Sequence, residues 1–114
     1  MKLNPEPFAK IKCGLKKYEL RLFDEKRQGI GVGDEIEFVR TDGQDSLTVR
    51  VVGVHIFDSF EALYAALPTG DLGYYEDEIA SASPLDMSKY YSAFEQQKYG
   101  VVAIKIRLVE LHEN

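Results

Sequence analysis

The side chains best placed to do chemistry together lie in the segment Gly14-Leu15-Lys16-Lys17-Tyr18-Glu19-Leu20-Arg21, a G-x-K-x-x-E-x-R spacing. Residues two apart on an extended strand share a face, so a strand here sets the Glu19 carboxylate beside the Arg21 guanidinium. Such a pair makes a charge-assisted hydrogen bond and also presents a polar recognition surface. Lys16 lies three positions before Glu19, and strict alternation sends it to the opposite face. The turn that Gly14 permits offers it a route back into the same cleft. A partly desolvated ammonium beside a carboxylate is an acid/base or anion-binding group. The bland alternative is a salt bridge at the mouth of the fold.

Other candidates carry less. Tyr74, Tyr75 and Tyr99 are available to stack on bases. Tyr90 and Tyr91 share helical spacing with Met87 and Phe94 and read as packing. His55 shares a strand face with Val51 and Phe57, which reads as a core histidine. His112 is too near the end to be assigned a role. Cys13 lies in a basic neighbourhood that lowers a thiol pKa, but no histidine partner accompanies it. A lone cysteine makes no internal disulfide, and no Cys/His cluster has zinc-ligand spacing. Neither a metal nor another cofactor is expected.

These residues need a scaffold. Asn4-Pro5 opens a helix with Phe8 and Ile11 on one face, stopped by Gly14. Lys16–Phe23 reads as a strand, with Tyr18, Leu20 and Leu22 on one side. Gly31–Asp34 is turn chemistry before a strand over Glu35–Arg40. Thr41-Asp42-Gly43 then turns into a long strand, Ser46–Phe57, in which Gly53 predicts a bulge. Asp58-Ser59 starts a helix, with Glu61 in capping-box register to Asp58 and a buried stripe of Phe60, Leu63, Tyr64 and Leu67. A short helix is expected over Glu76–Ala82, and another from Ser83-Pro84 through Phe94. Val101–Leu111 is a final strand with Val102, Ile104, Ile106 and Leu108 as its core face. A last strand so far from its partners must pair back across the sheet, which predicts an α+β fold: a small mixed β-barrel with flanking helices.

The chain has 114 residues and 45% hydrophobic composition, the size of one domain with a core that needs no staple. It lacks an apolar run of roughly 20 residues, so no membrane helix is expected, and its start lacks a secretory signal. The expectation is one soluble, cytoplasmic, monomeric domain. The net charge of −5 argues against a nonspecific nucleic-acid coat. Residues 1–60 balance ten Lys/Arg with ten Asp/Glu, whereas residues 10–27 hold seven basic against three acidic side chains. A local cationic patch on an acidic chain suits a small anionic ligand or a short nucleic-acid contact.

The G-x-K-x-x-E-x-R segment resembles the ASCH family of the PUA-like superfamily. The resemblance extends to Leu3–Phe8, Val32-Gly33-Asp34, Asp58-Ser59-Phe60 and Tyr99–Val102, nearly the whole chain. It implies a PUA-like fold and a cleft that takes RNA or a nucleoside- or nucleotide-like ligand, with Lys16, Lys17, Glu19, Arg21, Tyr74 and Tyr99 as contacts. It also implies a second reading. Some small ASCH proteins are amidohydrolases of acylated cytidines, using a lysine and a threonine of this motif with a distant glutamate. Lys16 matches the lysine, Glu19 stands where the threonine would be, and Asp71, Glu76 and Glu78 are candidates for the distant acid. A Lys16–Glu19 pair activating water or a ribose hydroxyl would make an amidase or ribonuclease variant. A protein-binding adaptor is the third class, with no partner indicated.

Overall fold

In the computed structural model, which describes residues 1–113, five strands form one mixed sheet. They are β1 (Lys2–Leu3), β2 (Tyr18–Leu22), β3 (Glu35–Arg40), β4 (Ser46–Phe57) and β5 (Val101–His112). Four α-helices accompany them: α1 (Pro5–Lys12), α2 (Glu25–Gln28), α3 (Phe60–Ala66) and α4 (Ala93–Tyr99). Short 3₁₀ segments at Thr69–Asp71, Glu76–Ser81 and Pro84–Lys89 join α3 to α4. The strand order is β1-β3-β4-β5-β2, with only β1–β3 parallel.

The expected barrel is not formed: β1 and β2 remain edges, with no ladder between them. The sheet curls far enough for the edges to meet through a side chain. The Lys2 carbonyl faces away from β3, whose Val39 and Thr41 amides take the carbonyls of Met1 and Leu3 instead. Arg21 on β2 donates Nη2 to this orphan Lys2 carbonyl at 3.1 Å. A guanidinium here replaces the backbone bonds of a closed barrel, and a cleft lies along the seam.

The core has two layers. Phe8 and Ile11 of α1 pack with Ile36, Phe38, Leu47, Val49, Val51, Val102, Ile104 and Ile106 on one side of the sheet. Phe60 and Leu63 of α3 cover Tyr18, Leu20, Leu22, Val101 and Ala103 on the other. The start of β5 is therefore buried on both faces, and Leu108 lies beyond the cover, 38% exposed rather than in the core.

The Gly53 bulge is present, and it explains where His55 goes. The β4–β5 register shifts between Val51 and Gly53, so one extra residue exchanges the two faces of β4. Val51 lies with the α1 layer; His55, past the bulge, is exposed and meets Tyr18 edge-on at 6.0 Å. It is not a core residue. Three helix expectations also need correction. Ser59, not Asp58, caps α3 by accepting from the Ala62 amide. The expected helix over Glu76–Ala82 is a 3₁₀ segment ending at Ser81. The long helix from Ser83 to Phe94 is two pieces, because Ser92 caps α4 afresh in a capping box with Glu95. That break leaves Phe94 72% exposed.

Phe38 is fully buried, so Phe38→Ala removes a ring with nothing to refill its space; urea denaturation should show a loss of about 3–5 kcal/mol. The same truncation at the exposed Phe94 should change stability by less than about 0.5 kcal/mol.

Candidate functional site

Glu19 is the most buried charged residue described, at 5% exposure. Its place follows from β2, where alternation turns Tyr18, Leu20 and Leu22 to the α3 layer and Glu19 and Arg21 to the opposite face. Oε1 accepts from the Leu20 amide at 3.2 Å, and Oε2 accepts from Arg21 Nη2 at 3.2 Å. Both hydrogens of that Nη2 are then engaged, one by Glu19 and one by the Lys2 carbonyl, so the guanidinium is fixed.

Lys16 joins them. Its Nζ lies 3.7 Å from Glu19 Oε1, so the three charged residues of the motif converge. Strict alternation does not apply to Lys16, because it precedes β2. The chain leaves α1 through Gly14 at φ +83°, and Lys16 pairs with Leu72 in an isolated bridge. Its ammonium donates to the Leu72 carbonyl at 3.3 Å. Gly73, at φ +102°, closes over the lysine stem: a Cβ there would stand 3.1–3.2 Å from Cβ, Cγ and Cδ of Lys16. Only glycine allows so close an approach. Burial lowers the Lys16 pKa from the ordinary lysine value, and the Glu19 charge offsets part of that fall.

The three side chains line a cleft of about 590 Å³, within the usual range of small-molecule sites. Its walls come from α1, the end of β1 and the irregular segment after α3. Lys10, on the α1 wall, sits 3.2 Å from Glu6 and 3.9 Å from Glu78, with its ammonium over the Tyr75 ring. On the far wall Tyr74 donates to Asp86 Oδ2 at 2.6 Å, and its oxygen shares a 2.8 Å hydrogen bond with Tyr64. Asp86 Oδ2 also accepts from the Ser83 amide. Burial, then the Asp86 bond, raises the Tyr74 pKa; the Tyr74 bond and the Ser83 amide lower that of Asp86. Tyr91 stacks on Phe60 at 5.7 Å, while Tyr90 is 61% exposed at the cleft. Tyr90 is thus not the packing residue that helical spacing implied.

Two expected contacts lie elsewhere. Lys17 points to a second groove and pairs with Asp71 at 3.6 Å, and Tyr99 packs against the α3 layer beneath Lys98. Of the three candidate distant acids, only Glu78 lines the cleft, 3.9 Å from Lys10; Asp71 is with Lys17, and Glu76 does not line it. Four of the hydroxyls that line it are committed: Thr41 to Asn4, Ser81 to the Glu78 carbonyl, and Tyr64 and Tyr74 in the chain that ends on Asp86. Sequence reasoning missed Lys10, Gly73 and Asp86. Asp86 had a readable signal in its capping-box spacing from Ser83; Gly73 had none without Lys16 above it.

The family model of the ASCH domain matches residues 1–110. The chain belongs to the ASCH domain family. Among solved structures it is similar to hypothetical protein PH0355, at 31% identity and TM-score 0.74, covering 96% of this chain and all of that one. It is also similar to protein PF0455 from Pyrococcus furiosus, at 29% identity and TM-score 0.60, covering 96% and 99% respectively. No curated protein matches. As an ASCH domain the chain shares the mixed α+β architecture, and no helix among its described residues is long and apolar enough to cross a membrane.

Gly73→Ala tests the close approach without removing a charge. It should cost about 1–2 kcal/mol from backbone strain and displace Lys16, seen as a shift of the Lys16 side-chain NMR signals. A ¹³Cε titration of Lys16 should give a pKa below that of exposed lysines and lower still in Glu19→Gln. The folded state holds this proton less tightly than the unfolded chain, so its contribution makes stability rise with pH between the folded and ordinary lysine values.

Proposed function

We propose that the seam cleft binds a nucleotide-like ligand, either an unpaired RNA nucleotide or a free nucleoside or nucleotide. The observation that carries this is the Glu19 carboxylate held between Lys16 and Arg21 at the cleft floor. Removing these charges from water costs several kcal/mol per ion, more than fold stability alone requires of a surface cleft. Glu19 Oε2 keeps a lone pair for a base amino or imino group. Lys16 keeps a hydrogen and Arg21 its Nη1, which suit a base carbonyl or a phosphate. One acid between two bases leaves the floor net positive, in keeping with an anionic ligand. Tyr90 gives an exposed ring on the wall for stacking, and the cleft volume fits about one nucleotide.

The lowered Lys16 pKa favours a second reading, hydrolysis of a modified nucleoside or of RNA with Lys16 and Glu19 as the acid/base pair. Against it, Glu19 occupies the position of the hydroxyl used by hydrolytic ASCH relatives, and the Thr41 and Ser81 hydroxyls of the cleft are committed elsewhere.

Calorimetric titration with the four mononucleotides and with short single-stranded RNA separates these readings. Wild type should bind at low salt, weakly and with strong salt dependence. Arg21→Met and Glu19→Gln should each weaken binding at least about tenfold. An absence of binding by all these ligands at millimolar concentration refutes the proposal. Turnover of acylated cytidines or short RNA that disappears in Lys16→Ala would instead establish the enzymatic reading.

A further inference from the structure

A second groove runs behind Lys16, lined by Lys12, Lys16, Lys17, Lys105 and Arg107 with no carboxylate among its lining residues. On a chain of net charge −5 that is a concentrated positive surface. It forms just before β2 begins. The Ile106 amide still donates to the Lys17 carbonyl at 3.0 Å, but beyond it β5 runs on paired only with β4. The C-terminal turn of α1 makes the opposite bank.

Lys12 and Lys17 have partners at the rim, Glu113 and Asp71. Lys105 and Arg107 have none among the described residues. Arg107 also stands directly opposite Arg50 across the β4–β5 ladder, a like-charge pairing that destabilises a sheet. Arg50 is neutralised by Glu35 at 2.8 Å, which leaves Arg107 as the uncompensated member. Two unpaired cations beside a third on a neighbouring strand add nothing to the fold. Their charge is spent on something outside it.

Spacing identifies the ligand class. Lys105 and Arg107 are two apart on a strand, so they project to one face about 6.7 Å apart, comparable to successive phosphates of an extended strand. Lys16 lines both this groove and the seam cleft, so the two adjoin at this residue. We infer that the groove between the α1 turn and β5 binds the phosphodiester backbone of single-stranded RNA, with Lys105 and Arg107 on consecutive phosphates adjoining the nucleotide in the seam cleft. This rests on the nucleotide reading of the cleft. The site then takes an oligonucleotide of a few residues rather than a free nucleotide.

Fluorescence anisotropy with a labelled mononucleotide, dinucleotide and hexanucleotide tests this, comparing wild type with Lys105→Gln/Arg107→Gln and, as a charge control on α4 outside the groove, Lys98→Gln. Wild type should bind the hexanucleotide at least tenfold tighter than the mononucleotide. The double variant should lose that gain, keep mononucleotide affinity, and flatten the hexanucleotide's log–log salt dependence by about 1.4, roughly 0.7 per lost phosphate contact. Lys98→Gln should change neither. No gain with length, or a gain indifferent to the double substitution, overturns the inference while leaving the cleft reading intact. Equal displacement of RNA by poly-glutamate assigns the groove to acidic chains and also overturns it. Failure of mononucleotide binding with a hexanucleotide affinity still sensitive to Lys105 and Arg107 removes the cleft reading and keeps the groove.

Discussion

Burying the Glu19 carboxylate with Arg21 on one oxygen and Lys16 on the other ties three separate stretches of chain together. Arg21 carries the coupling to β1 through the Lys2 carbonyl, and Lys16 carries it to the Leu72-Gly73 turn through the Leu72 carbonyl. Each link satisfies a backbone carbonyl with a cation that is also paired to Glu19. Removing the carboxylate would leave two cations facing each other at low exposure, and removing either cation would strand part of the remaining pair. The cleft floor is therefore both a recognition surface and the fastening of the curled sheet.

The wall facing this floor is built differently. From Leu67 to Ser92 the chain has no strand and no α-helix, only short 3₁₀ pieces. Such a segment has few backbone bonds of its own, and its position depends on side chains. The Tyr64–Tyr74–Asp86 chain and the Ser83 amide supply it, with Tyr91 stacked on Phe60 as the apolar counterpart. Because this network lowers the Asp86 pKa, its contribution is full above the ordinary carboxylate range and is lost as pH falls through the lower folded value. Lys16 on the floor works the other way, its burial opposing the charged form. The two sides of the cleft thus respond to pH in opposite senses, the wall loosening as pH falls and the floor losing charge as pH rises.

How much of this was legible in the sequence depended on the range of the interaction. The Glu19/Arg21 pair follows from a period of two, and the strands Glu35–Arg40 and Ser46–Phe57 and the Gly53 bulge follow from turn chemistry and apolar alternation. Lys16 was not legible, because its direction is set by Leu72, 56 residues away. His55 was misread although the bulge was foreseen, because the face exchange that a bulge imposes was not carried past Gly53. The 83–94 segment kept a helical spacing of aromatics, yet Ser92 with Glu95 offered a new start that competed successfully with continuation. The open sheet was misread for a different reason. Counting strands and noting that β5 must pair back gives curvature, whereas closure depends on whether a two-residue β1 meets β2 backbone to backbone.

That last difference bears on function directly. Exposed strand edges are usually a liability, since their free amides and carbonyls recruit other chains. Here β1 is very short, its one outward carbonyl is taken by Arg21, and α1 follows at once to cover the seam. If β1 and β2 were laddered together, their strands would lie about 4.8 Å apart and the backbone would fill the space where Glu19 and Arg21 now stand. A side chain bridges the same gap from further away and leaves a cavity beneath it. On this view the incomplete barrel is what makes room for a site. The residue that replaces the missing ladder, Arg21, is therefore also one of the residues with donors left for a ligand.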